Sequence, residues 1–200
     1  MTISLELVKE LRQRTGAGVL ACREALETTA GDIEKAAELL REKGLAAAAK
    51  RADRETENGV LDLYNHGDGR VGVMVEVNCE TDFVARTDEF RNFAHEIALQ
   101  VAANGPRWLD VEDVPEKYIE EERQDARRWA IESGKPEHVL DKIVEGRLEK
   151  FFDDNCLLRQ TYIRNEEMTV EELLKEMIVK TGENVTIRRF ERWMVGEELE

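Results

Sequence analysis

Apolar positions in the first 44 residues recur every three or four residues, in short runs broken by Gly and Thr. Leu5, Val8 and Leu11 share one side of a helix that Ser4 can cap. Thr15-Gly16-Ala17-Gly18 breaks it. Cys22, Ala25, Leu26 and Thr29 mark a second helix, stopped by Gly31. Asp32 caps a third, with Glu34 in its first turn and Ile33, Ala36, Ala37 and Leu40 inward. Lys43-Gly44 is the expected end of that helix.

The pattern then changes. Ala46-Ala47-Ala48-Ala49-Lys50-Arg51 favours helix but makes no broad apolar face, so residues 45–55 read as a helical linker. Beyond it the period drops to two. Gly59–Tyr64 and Arg70–Val77 flank His66-Gly67-Asp68-Gly69, the signature of a hairpin. Val71, Val73, Val75 and Val77 fall on one face, with Gly72, Met74 and Glu76 on the other. Phe90, Phe93, Ala94, Ile97 and Val101 return to helical spacing, up to Asn104-Gly105-Pro106. Two more helices are expected over 115–133 and 136–152, and a capped one from Thr169 to Gly182. Asn184–Phe190 reads as a closing strand whose alternation breaks at Arg188-Arg189, as at a bulge. The fold class is α+β. A three-helix head of ubiquitin-associated type (UBA-like) over 1–44 is followed by the linker, 45–55. The core, 56–200, is a small antiparallel sheet packed by helices. A head this small is marginally stable alone and suits docking.

Composition narrows the function. The 200 residues are 42% hydrophobic and 36% charged, and no apolar run approaches the ~18 residues of a membrane span. The start has no basic region ahead of an apolar core, so neither a signal nor a transit peptide is expected, and the cytoplasm is the expected location. Net charge is −15; residues 1–55 hold ten basic and ten acidic residues, so the whole excess lies beyond them. That asymmetry separates two modules and argues against direct nucleic-acid binding. Cys22, Cys79 and Cys156, like His66, His95 and His138, are scattered without metal-ligand spacing. Reduced thiols in or near the core are expected instead. Gly16-Ala17-Gly18 lies between helices and lacks a following Gly-Lys-Ser/Thr, so it is a connector and no phosphate loop. No nucleophile-and-base arrangement is visible. Neither an enzyme nor a cofactor is expected.

One segment stands out. Asn78-Cys79-Glu80-Thr81-Asp82-Phe83-Val84-Ala85-Arg86 joins the valine-rich strand to the next helix. It sets a large aromatic, Phe83, beside an acid. Such a Phe either packs into its own core or points toward a partner, and the residues leave both open.

The chain also resembles a known family. Thr15-Gly16-Ala17-Gly18, Cys22-Arg23-Glu24-Ala25-Leu26 and Gly31–Ala36 are similar to the N-terminal domain of bacterial translation elongation factor Ts. Val77–Ala85 resembles that family's core signature, and Ser133–Pro136, Val144–Arg147, Leu157–Gln160 and Arg188–Phe190 extend the match in order. The resemblance implies a guanine-nucleotide exchange factor for elongation factor Tu. Its head would dock on the GTPase, through Lys9, Arg12, Val19, Leu20 and Arg23. Its turn would dislodge Mg²⁺, with Asp82 and Phe83 intruding and Thr81 and Val84 shaping the turn. The family often carries methionines and an Asp where this chain has Val19, Leu20 and Ala21, so the implied head contact is apolar. Longer members carry two related core subdomains. This chain resembles the short form, for which a homodimer is expected. An alternative from another class is an adaptor or chaperone-like scaffold whose head binds several proteins and makes no use of the turn.

Overall fold

A computed structural model describes residues 3–198. Side-chain caps open most of the helices that the sequence marks. Ser4 accepts the Leu7 N–H at the start of α1 (Leu5–Thr15), and Asp32 accepts the Lys35 N–H at the start of α3 (Ile33–Ala49). Between them lies α2 (Val19–Thr28). The three helices close on Val8, Leu11, Cys22, Ala25, Leu26, Ala36 and Leu40. Leu5 is not among them: it is 79% exposed, and the partly buried Ile3 and Leu7 cover that end of the bundle instead.

The expected end of α3 at Lys43-Gly44 is overridden. The helix runs on to Ala49 because Gly44 lies against a partner helix. A Cβ there would sit 2.8 Å from a methyl of Val179, so the absent side chain is what lets the two helices approach. Four residues on, Ala48 is buried within the core of the second module. The first part of the linker is therefore packed helix.

That second core is built on a three-stranded antiparallel sheet in the order β1 (Asn58–His66), β2 (Val71–Cys79), β5 (Val185–Met194). Gly67, Asp68 and Gly69 all take positive φ in the β1–β2 turn, which two glycines make inexpensive. Val73, Val75 and Val77 point inward against Phe90, Phe93, Ala94, Ile97 and Val101 of α5 (Asp88–Asn104). Burying Phe90 alone is worth about 3 kcal/mol.

β5 carries the expected bulge. Glu76 pairs with Arg189 and Val77 with Ile187, leaving Arg188 unopposed. The extra residue reverses which side chains face in. Val185 and Ile187 are buried before it; after it Phe190 and Arg192 turn inward and Trp193 emerges outside, opposite Gly72.

The helices α6 (Glu116–Glu132) and α7 (Glu137–Asn155) form an antiparallel pair across Ser133–Pro136. A two-stranded hairpin, β3 (Thr161–Tyr162) with β4 (Asn165–Thr169), precedes α8 (Val170–Thr181) and was not expected. Gln100, fully buried, holds it: its amide donates to Gln160 and to the Thr161 carbonyl and accepts the Ile163 N–H. Thr169 and Glu172 cap α8 reciprocally, and Gly182 ends it in the left-handed region. All three cysteines are buried free thiols. No helix among the described residues is long and apolar enough to cross a membrane.

Candidate functional site

The sheet delivers one exposed aromatic at the end of β2. Strand pairing stops at Cys79, and a single helical turn, α4 (Asp82–Ala85), begins three residues later. A turn of helix advances about 100° per residue, so its four side chains divide between two sides. Ala85 is buried and Val84 packs on the core; Asp82 and Phe83 face out. Phe83 is 80% exposed, so it is no staple over its own core. Asp82 pairs with Arg86 at 2.9 Å, along the same exposed side.

The turn is firmly held. Thr81 caps α4, accepting the Val84 N–H at 3.4 Å. Its hydroxyl and its N–H both donate to Glu183, at 2.6 and 3.0 Å. The Thr87 hydroxyl donates to the Val84 carbonyl at 2.8 Å and caps α5 in turn. Beneath the turn, the Cys79 thiol donates to the Thr81 carbonyl. Burial pushes that thiol up to about 11, with the charge of Glu183 adding to the shift, so it stays protonated and unreactive near neutral pH.

Glu80 faces the opposite way and binds the linker. It accepts the Asn184 N–H at 2.6 Å and the Arg54 guanidinium at 3.3 Å. The Asn184 hydrogen bond first, and Arg54 second, hold its carboxyl below the usual value of 4.5. A lowered folded-state value gives stability that is complete above 4.5 and fades as pH falls through the lowered value. Glu80→Gln is therefore expected to flatten the acid limb of a melting-temperature profile measured from neutral pH down to about pH 3. A variant with the wild-type slope would show that Glu80 carries none of it.

The head residues lie on a separate body. Lys9 and Arg12 are exposed on one face of α1. Val19, 54% exposed, and Leu20, 70% exposed, open α2, and Arg23 pairs with Glu27 at 3.2 Å. Leu5 joins Lys9 and Arg12 at helical spacing i, i+4, i+7, so it adds an exposed apolar side chain to that face of α1. Only that spacing could have marked it in the sequence. Thus Thr81, Asp82, Phe83 and Val84 come together in one turn, while Lys9, Arg12, Val19, Leu20 and Arg23 line a bundle joined to it through α3. Among the described residues, no group of three or more His, Cys, Asp or Glu side chains could hold a metal ion.

Comparison with known proteins shows the family. The model of the family described as "Elongation factor TS" matches residues 20–197. Elongation factor Ts of Caldanaerobacter subterraneus subsp. tengcongensis is 58% identical over 198 residues, covering 99% of both chains. That of Carboxydothermus hydrogenoformans is 57% identical, covering 98% of this chain and 91% of its own. That of Thermosipho melanesiensis is 54% identical, covering 98% of this chain and all of its own.

The chain belongs to the elongation factor Ts family.

With the elongation factor Ts signature placed on the fold, two residues that the sequence reading missed become visible. Glu183 and Asn184 lead from α8 into β5 and reach the turn from the strand that pairs with β2. Their partners lie more than a hundred positions away, so no local pattern could have revealed them.

Proposed function

We propose that this chain is the guanine-nucleotide exchange factor for elongation factor Tu, and that it promotes GDP release during translation elongation by disturbing the GTPase's Mg²⁺ and phosphate site. The observation that carries the reading is Phe83, a large aromatic 80% exposed on a turn that its own protein holds rigid. Aromatic side chains presented this way serve as binding hot spots. Mg²⁺ requires a near-ideal octahedral shell, so a wedge that shifts one ligand-bearing element weakens it without touching nucleotide. The coupling is reciprocal. The factor lowers GDP affinity by the ratio in which GDP lowers affinity for the factor. No catalytic site of its own is needed.

In this reading residues 1–44 dock on the GTPase through Lys9, Arg12, Val19, Leu20 and Arg23. Residues 45–55 link them to the core, 56–200, which presents Thr81, Asp82, Phe83 and Val84. The work is cytoplasmic, and the net charge of −15 disfavours direct contact with nucleic acid.

The core also suits pairing with a second copy. The outer face of the sheet exposes Leu61, Leu63, Met74 and Trp193, at 60, 72, 43 and 77%. Leu63, Gly72, Met74 and Trp193 line a shallow apolar hollow of about 390 Å³ on that face. A contiguous apolar patch of this kind marks an interface. Among the described residues the chain carries a single three-stranded sheet, where the longer members of the family carry two related core subdomains, so a second copy is the occupant that completes it.

Size-exclusion chromatography with elongation factor Tu tests both statements. The chain alone is expected to elute at twice its mass. With the nucleotide-free GTPase it should form a stoichiometric complex that excess GDP dissolves. Trp193→Asp should elute as a folded monomer. A complex indifferent to GDP would refute the exchange reading, and a wild-type chain of single mass the pairing.

A further inference from the structure

We infer that Glu183 is a positioning residue for the exchange reaction, one that fixes the direction in which Phe83 points. The inference rests on the wedge reading above and deepens it.

Glu183 spends both carboxylate oxygens on one residue. Oε1 accepts the Thr81 hydroxyl at 2.6 Å and Oε2 accepts the Thr81 N–H at 3.0 Å. Two parallel charge-assisted hydrogen bonds fix rotation as well as distance, which a single bond cannot do. Thr81 is the residue that opens α4, and Phe83 follows it by two positions within that one turn. The heading of the ring is therefore set where Thr81 is gripped.

The grip is itself anchored. Asn184, only 2% exposed, donates its backbone N–H to Glu80 at 2.6 Å. Its side-chain amide donates to the Ala52 and Arg54 carbonyls at 3.1 and 2.8 Å. All three of its N–H groups are thus committed. On the other side Gly182 ends α8, and the Glu183 N–H donates to the Thr181 hydroxyl. Glu183 stands between the hydrogen-bonded end of α8 and the fully committed Asn184, and holds the turn from the start of the neighbouring strand β5.

An exposed Phe on a loose turn would lose conformational freedom when it inserts, and that loss would subtract from the exchange step. A turn fixed beforehand avoids it. The head does not touch this clamp, so the clamp should govern how fast bound GTPase loses GDP and not how tightly the GTPase is bound.

The test is release of fluorescent GDP from elongation factor Tu, followed over a range of concentrations of the full-length chain. Glu183→Ala, which removes both hydrogen bonds to Thr81, is expected to lower the maximal rate about tenfold. The half-saturating concentration should stay within about twofold of wild type, because the head is untouched. Glu183→Gln keeps one acceptor for Thr81 and should recover part of the rate. Phe83→Ala is the comparator. If it is slow while Glu183→Ala releases GDP at the wild-type rate, the wedge stands and the positioning role is overturned. If both match wild type, the wedge reading falls and this inference with it. Loss of rate and affinity together, in step with a lower melting temperature, would make Glu183 merely structural and would also overturn it. Should Glu183→Ala not fold, Glu183→Gln carries the test by itself and is expected to show the same separation at about threefold.

Discussion

Replacing Phe83 with Ala is expected to lower the maximal rate of GDP release from elongation factor Tu by about thirtyfold, the effect of removing a hot-spot side chain worth about 2 kcal/mol. Its melting temperature should barely change. The ring is 80% exposed and contributes little to the core, and surface substitutions of this kind stay within about 0.5 kcal/mol. Function and stability separate at this position because the two outward side chains of α4 and its two inward ones do different jobs. Val84 and Ala85 seat the turn; Asp82 and Phe83 are presented by it. Stopped-flow release with a fluorescent nucleotide decides the matter, and an unchanged rate at saturating factor would remove the wedge from the mechanism.

The second large effect is expected at Gly59. A Cβ on this residue would fall 2.2 Å from the Val77 carbonyl oxygen and 2.8 Å from the Asn78 Cα. Both are backbone atoms of the neighbouring central strand, so no side chain can swing aside. Gly59→Ala must lift β1 from β2 or displace Asn78, at about 3 kcal/mol. In a chain of this size that lowers the melting temperature by roughly 6–12 °C. The damage should reach the site as well, because Asn78 ties to the Thr56 carbonyl and leads directly into Cys79, Glu80 and Thr81. A thermal melt coincident with wild type would show that the strands part at no cost.

Local signals made much of this fold legible. Ser4, Asp32 and Thr169 cap helices because their side chains satisfy N–H groups within three residues, an arrangement written wholly in neighbouring positions. The valines of β2 and the aromatic-aliphatic stripe of α5 are likewise periodic over a single element. Even the bulge at Arg188 showed as broken alternation. What escaped was set by distant contacts. Gly44 reads locally as a stop, and becomes a point of close approach only when Val179 arrives against it. Leu5 has the spacing of a buried residue but lies outside the small bundle core. The β3–β4 hairpin is too short for alternation to register and depends on Gln100, from another element. At the site, the sequence located the turn and left the heading of Phe83 open. Burial of Val84 and Ala85, with the pull of Glu183 on Thr81, decides it.

The unbroken course of α3 from the head into the core makes the bearing of the head a matter of counting. Each residue of an α-helix adds about 1.5 Å and turns the chain by about 100°. Deleting one of the exposed residues Arg41, Glu42 and Lys43, between Leu40 of the head core and Gly44, would leave every cap and both cores intact. It would also swing Lys9, Arg12 and Leu20 about 100° around the helix axis, away from any surface that Phe83 could reach at the same time. A change of about seven residues, two full turns, would restore the bearing, and it would move the head by about 10 Å. The length of this helix is thus a gauge between two contact points.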